Sequence, residues 1–302
     1  MGAGILSREG SVDRMPDYTF DHVGLLAGNG GLARKCEWFY RALLGMQSMV
    51  PFGETPEEDF CMLSDGAAPE RACLEIIGQV FEERERGFHA LHGPGLDHLS
   101  FDTEDVDRAY ESLSAAGVAI PIPPYSFLHT RLMCCKDPAG NDVKITQGEP
   151  RMKSGPGEAG SHAVNARLDH VGILVNGSEE AHIMERFYTQ NFGMRAVLRS
   201  APGQERMDCV YLKDTSSTNS IFLQIIGGAF FDHERTFLDA HGAGMDHLCF
   251  HVEDADAARQ VLQARGVKIE YEGMKPGSQR MFIARDPAGL MVQFIQASVE
   301  TA

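Results

Sequence analysis

Asp21-His22-Val23-Gly24-Leu25-Leu26 opens an apolar run of strand length, and three later stretches repeat its plan: Asp97-His98-Leu99-Ser100, Asp169-His170-Val171-Gly172 and Asp246-His247-Leu248-Cys249. The four histidines lie 76, 72 and 77 residues apart. An imidazole at a fixed place in an apolar strand is costly to bury without a partner. One such histidine reads as a satisfied core residue. Four in register read as a repeated unit with a repeated task.

The repeat extends well beyond this phrase. Phe39-Tyr40 and Leu44-Gly45-Met46 are answered by Phe187-Tyr188 and Phe192-Gly193-Met194. Leu74-Glu75-Ile76-Ile77-Gly78 is answered by Leu223-Gln224-Ile225-Ile226-Gly227, and Asp137-Pro138-Ala139-Gly140 by Asp286-Pro287-Ala288-Gly289. The offset is 148 residues at the first histidine and 149 from Glu75 onward. The chain therefore reads as two halves with two histidine-opened modules in each.

Each module has the order β-α-β-β-β. In the first, a strand over Phe20 to Ala27 leads to a helix over Leu32 to Leu44, which Gly45 ends. In the second, a strand at His98 precedes a helix over Val106 to Ala116, stopped by Gly117. The last module carries a helix over Asp256 to Arg265, stopped by Gly266. Residues 1–17 read as a flexible leader, 18–148 as the first domain, 149–166 as a Gly-, Ser- and Pro-rich linker, and 167–298 as the second domain.

Composition narrows the function. Lys and Arg number 27 against 43 Asp and Glu, a net charge of −16. An acidic surface repels phosphate backbones, so no nucleic-acid partner is expected. No apolar run reaches the roughly 18 residues of a membrane span, so no membrane partner is expected either. The N-terminus lacks a secretory apolar core, and Leu6 stands where a myristoylation signal wants Ser or Thr. The seven cysteines are scattered without a CxxC. A cytoplasmic protein with reduced, buried thiols is expected, and a homodimer is left open.

The doubled pattern resembles the vicinal oxygen chelate superfamily, which includes glyoxalase I, methylmalonyl-CoA epimerase, extradiol dioxygenases and bleomycin-resistance proteins. The resemblance covers Tyr18 to Ala297. It implies an α+β fold of four βαβββ modules paired into two half-open barrel domains. It also implies a metal between paired modules, with ligands from the first and last strands of each. Mapped onto this chain, the first half offers His22, Glu75, His98 and Lys144, and the second offers His170, Gln224, His247 and Gln293. Metal-bearing relatives usually carry Glu at the last-strand position, where this chain has Lys144 and Gln293. The spacing of His22, Glu75 and His98 is similar to that of single-domain epimerases.

Glu75 is the informative carboxylate by its own chemistry. It sits in the apolar strand Cys73-Leu74-Glu75-Ile76-Ile77, where an unpaired charge costs several kcal/mol. It should be paired, protonated or metal-bound, with His22 and His98 as natural partners. Two imidazoles and a carboxylate suit Fe, Mn, Co, Ni or Zn as a divalent ion. A salt bridge from Glu75 to Lys144 or to a histidine is the alternative. In the second half two imidazoles and two amides form a weaker, neutral cage. His129 is a candidate general base, and Arg131 and Arg280 are candidates for holding an anionic substrate. His92 and His241 read as loop caps.

The expected function is that of a metal-dependent isomerase or lyase with Glu75 at its catalytic centre, stabilising an enolate of a small oxygen-chelating substrate. Two alternatives stand beside it. One is an Fe(II)-dependent extradiol-type dioxygenase, and the other is a metal-free ligand-binding or resistance protein. The superfamily hosts many chemistries, so the fold alone does not select among them.

Overall fold

A computed structural model describes residues 17–53, 59–65, 72–78, 98–127, 130–147, 164, 166–175, 177–199, 208–214, 221–227, 247–275 and 279–296. The leader except Asp17, and all of the linker except Val164 and Ala166, lie outside these residues. The first module runs β1 (Tyr18–Leu26), α1 (Gly30–Trp38, continued by a π-helical turn at Phe39–Leu43), β2 (Gln47–Val50), β3 (Phe60–Ser64) and β4 (Ala72–Ile77). The second runs β5 (His98–Thr103), α2 (Val106–Ala115), β6 (Ile122–Phe127), β7 (Thr130–Lys136) and β8 (Asp142–Gln147). The third runs β9 (Ala166–Leu174), α3 (Ser178–Phe192), β10 (Arg195–Arg199), β11 (Cys209–Lys213) and β12 (Phe222–Ile226). The fourth runs β13 (His247–Val252), α4 (Ala255–Ala264), β14 (Ile269–Lys275), β15 (Gln279–Arg285) and β16 (Met291–Gln296). The expected order β-α-β-β-β is thus present four times.

The helix boundaries follow local chemistry. The side chains of Asn29, Asp105 and Asp254 accept from the backbone N–H of Leu32, Arg108 and Ala257 at 2.9–3.0 Å, so α1, α2 and α4 each begin on a side-chain cap. Gly193 ends α3 with φ 68°, a left-handed conformation that costs glycine nothing.

The modules do not pair as the sequence suggests. One sheet has the order β14-β15-β16-β13-β1-β4-β3-β2, and the other β10-β11-β12-β9-β5-β8-β7-β6. The first module therefore joins the fourth, and the second joins the third. At the centre of each sheet two histidine-bearing strands run antiparallel, β1 with β13 and β5 with β9. The expectation that consecutive modules share a barrel is corrected: each sheet takes one module from each half.

The two modules of each sequence half are held together instead through the helical layer. Tyr40 is fully buried on the turn that follows α1 and donates to Asp137 Oδ2, in the turn before β8, at 3.0 Å. Tyr188 of α3 does the same to Asp286 Oδ2, in the turn before β16, at 2.9 Å. Both bonds bridge the two sheets. The second carboxylate oxygen of each aspartate accepts backbone N–H groups of its own turn, from Ala139 and Asn141 and from Ala288 and Leu290. Around these bonds a single apolar cluster, including Phe39, Phe101, Phe192, Phe250 and Phe294, joins the helical faces of both sheets. Burial pushes the Asp286 carboxyl up to about 7, with the turn N–H groups and Tyr188 opposing the shift.

Tyr188→Phe is expected to destabilise the protein by about 1–3 kcal/mol, because it leaves a buried acceptor short of a donor. Tyr188 donates to the ionised carboxylate. The loss therefore applies above the folded Asp286 pKa and fades as pH falls below it. Thermal melts at about pH 8 and about pH 5 check this: the deficit should be larger at the higher pH.

Candidate metal centre

Two aspartate bulges decide where the histidines point. In β1 the register with β13 shifts between Phe20, opposite Phe250, and His22, opposite Cys249. Strict alternation would put Phe20 and His22 on one face. The extra residue, Asp21, lets Phe20 enter the apolar core while His22 turns to the other face. In β9 the register shifts likewise between Leu168, opposite Phe101, and His170, opposite Ser100, with Asp169 as the extra residue.

On the face away from the helices, cross-strand partners then line up in rows. In the first sheet one row is Gln293, Cys249 and His22, and the next is His247, Gly24 and Glu75. In the second sheet the same rows read Lys144, Ser100 and His170, then His98, Gly172 and Gln224. The proposed ligands thus sort across the halves. His22 and Glu75 meet His247 and Gln293, while His98 and Lys144 meet His170 and Gln224. The expected grouping of His22 and Glu75 with His98 is corrected.

In the first sheet three donor atoms converge. His22 Nε2 lies 3.2 Å from Glu75 Oε2, His247 Nε2 lies 3.3 Å from the same oxygen, and the two Nε2 atoms are 3.4 Å apart. All three residues are buried. The rings meet edge to face at 82°. Donors held about 2.1 Å from one ion stand roughly 3.0–3.4 Å apart, so this spacing fits a common metal. Gln293 adds a second sign of fit: its buried Oε1 accepts no hydrogen bond, although its amide nitrogen reaches Met281 Sδ at 3.8 Å. The donor set of two imidazoles, one carboxylate and one amide carbonyl suits a borderline divalent ion.

Gly24 makes the convergence possible. A Cβ there would fall 1.7 Å from His247 Cε1, so the ring occupies the space of the missing side chain. Gly172 carries the His98 ring in the same way, at 1.9 Å. Around the first-sheet site Leu26, Ile77, Ile283, Met281, Met291 and Ile295 form a second apolar cluster with Cys249.

The electrostatics favour charge at this site. Burial works against a proton on His22, but Cys249, Glu75 and Asp21 outweigh it and hold the pKa well above the ordinary imidazole value. Burial also works against ionisation of Asp21. Bonds from His22 and His251 outweigh it and keep the carboxyl well below the usual range.

The second sheet differs in kind. His98 Nε2 and His170 Nε2 are 3.3 Å apart, and His170 Nδ1 lies 2.6 Å from Asp169. Gln224 donates to Tyr211 Oη at 2.8 Å, and its Oε1 accepts nothing. The position equivalent to Gln293 is Lys144, buried and in register with Ser100. An ammonium there and an amide in place of Glu75 disfavour a divalent cation.

Several sequence candidates fall elsewhere. Arg131 makes a two-pronged ion pair with Asp107 at 2.8 and 2.6 Å, and Arg280 pairs with Asp256, both exposed. Each arginine binds the first turn of a helix, on the face opposite the histidines. His92, His129 and His241 lie outside the described residues. All seven cysteines are free and six are buried. Burial pushes the thiols of Cys36, Cys61, Cys73 and Cys135 up, as inert core thiols require. Among the described residues no helix is long and apolar enough to cross a membrane. Sequence reasoning missed Asp21, Cys249 and His251. The aspartate was visible four times before the histidine, but its place beside the ring depends on the bulge.

Comparison with known proteins agrees with this architecture. Residues 19–145 and 169–284 each match a model of the glyoxalase/bleomycin resistance protein/dioxygenase superfamily. No curated protein matches the chain. Glyoxalase I of Zea mays superposes with a TM-score of 0.64 at 16% identity, over 93% of this chain and 92% of that one. A Bacillus subtilis protein provisionally described as a dioxygenase superposes at 0.57 with 11% identity, over 94% and 86%. At these identities the structural likeness concerns the fold.

Proposed function

The chain belongs to the glyoxalase/bleomycin resistance protein/dioxygenase superfamily, and from that premise we propose a metal-dependent enzyme of the isomerase or lyase kind, acting on a small substrate with two neighbouring oxygens. The observation that carries this reading is the convergence of His22, Glu75 and His247, with 3.2–3.4 Å between their donor atoms. His22 Nε2, His247 Nε2 and Glu75 Oε2 would hold the ion, and Gln293 Oε1 would complete the set. A divalent ion bound there supplies Lewis acidity that stabilises negative charge on substrate oxygens, including that of an enolate. Glu75, between two imidazoles, is the group placed to take a proton from a substrate carbon. The cluster of Leu26, Ile77, Ile283 and Met291 excludes water and receives apolar parts of the substrate.

Two histidines and one carboxylate are also the donor set of non-haem iron oxygenases, which supports a dioxygenase as the second reading. Metal analysis of the purified protein, with assays for oxygen uptake, separates the two. Nickel, cobalt, manganese or zinc without oxygen consumption supports the isomerase or lyase. Iron with oxygen consumption supports the dioxygenase, and no bound metal supports a binding protein.

The fourth position gives a further prediction. Gln293→Glu should strengthen divalent-metal binding about tenfold, by adding a negative charge beside the ion. Lys144→Glu should leave that affinity unchanged, because Lys144 belongs to the other sheet. Titration of both variants with zinc checks the assignment.

A further inference from the structure

We propose that Asp21 and His251 are positioning residues for this site: they keep a proton on His22 Nδ1 and so leave Nε2 free to donate its electron pair. The proposal rests on the metal reading of the His22, Glu75 and His247 cluster.

Two carboxylates compete for His22. Glu75 Oε2 stands 3.2 Å from Nε2, and Asp21 Oδ2 lies in close contact with Nδ1. To bind a metal His22 must be a neutral imidazole, which has one N–H to give. If that proton faced Glu75, the Nε2 lone pair would be lost to a metal. If it faces Asp21, Nε2 can ligate. A carboxylate on the outer nitrogen selects the second arrangement and raises the basicity of the ring.

Asp21 is itself held by the fold and by a neighbour. It is the bulged residue of β1, and this directs it beside His22 rather than into the core. Its other oxygen, Oδ1, lies 3.0 Å from His251 Nε2, on β13. His251 comes from the second half of the chain and lies on the strand that also supplies His247. One strand therefore provides both a ligand and the support for the opposite ligand.

The second sheet provides a comparison within the molecule. Asp169 and His170 repeat the inner pair at 2.6 Å. The position corresponding to His251, 149 residues earlier, is Asp102. The supporting imidazole is present only where the carboxylate ligand Glu75 is also present.

The test uses Asp21→Asn, His251→Leu and His251→Gln, with Asp169→Asn as control. Two properties are measured: zinc affinity, and the NMR resonance of the His22 Nδ1 proton in metal-free protein. Asp21→Asn should lose that resonance and weaken zinc binding by about 10- to 100-fold. His251→Leu should weaken binding in the same direction. His251→Gln, which still offers Asp21 a donor, should restore most of it. Asp169→Asn should leave zinc affinity unchanged. A retained His22 Nδ1 proton together with wild-type zinc affinity in Asp21→Asn would overturn the proposal. So would an equal loss of affinity in Asp169→Asn, which would mark a general folding effect. If the wild type itself binds no zinc or other divalent ion, the metal reading fails, and the Nδ1 resonance alone still decides whether Asp21 sets the proton.

Discussion

Glu75→Gln is expected to lower divalent-metal affinity about a hundredfold or more while leaving the metal-free fold in place. Breaking a buried charged interaction by removing one partner costs about 3–5 kcal/mol, and each 1.4 kcal/mol is about tenfold in affinity. The carboxylate supplies the negative charge among the three converging donor atoms. Gln preserves the shape and keeps an oxygen donor, so the loss reports charge rather than packing. Without metal the prediction differs: once the carboxylate 3.2 and 3.3 Å from them is made neutral, the two imidazoles can release their protons, and no uncompensated charge stays buried. The apo variant should therefore melt close to the wild type. A large apo destabilisation with unchanged metal content would identify a structural salt bridge. Zinc titration and thermal melts of the metal-free proteins measure the two quantities.

Gly24→Ala is expected to remove metal binding almost as completely, by another route. The new Cβ would coincide with the His247 ring, whose three nearest atoms would lie 1.7–2.4 Å away. No real contact is that short, so the ring must leave. Overpacking of this kind costs about 1–3 kcal/mol of stability. Gly172→Ala in the other sheet meets His98 at almost the same distances, 1.9–2.5 Å. It should carry a similar stability cost and keep the metal. The pair thus separates damage to the fold from damage to the site: equal metal loss in both variants would show that affinity follows stability alone.

Much of this architecture is legible in the residues. The four Asp-His phrases, the paired Phe-Tyr sites and the Asp-Pro-Ala-Gly turns mark four modules, and the structure contains them in that order. The candidate ligands were also legible one at a time, because a polar residue in an apolar strand stands out. Their grouping was not. His22 is 53 residues from Glu75 but 225 from His247, and a repeat pattern carries no signal for which modules share a sheet. Consecutive pairing was the natural expectation, and it joined His98 to the wrong partners. The turn of His22 away from the core was hidden for a related reason. Alternation puts Phe20 and His22 on one face, and only the pairing with β13 reveals Asp21 as an extra residue. The face that the arginines occupy was not legible either, because charge near a strand is visible in sequence and its side of the sheet is not. Asp107 and Asp256, in the helices, claim them.

The crossed pairing decides which residues share Glu75, the one carboxylate among the eight candidate positions. Across the halves, the first sheet collects His22, His247, Glu75 and Gln293, and the second collects His98, His170, Gln224 and Lys144.

Metal stoichiometry in two histidine variants tests the central assignment most directly. Wild-type protein should hold one divalent ion per chain at saturation. His247→Ala, in the second half of the sequence, should lose it, and His98→Ala, which lies closer to His22 and Glu75 in sequence, should retain it. Loss of the ion in His98→Ala with retention in His247→Ala would contradict the account.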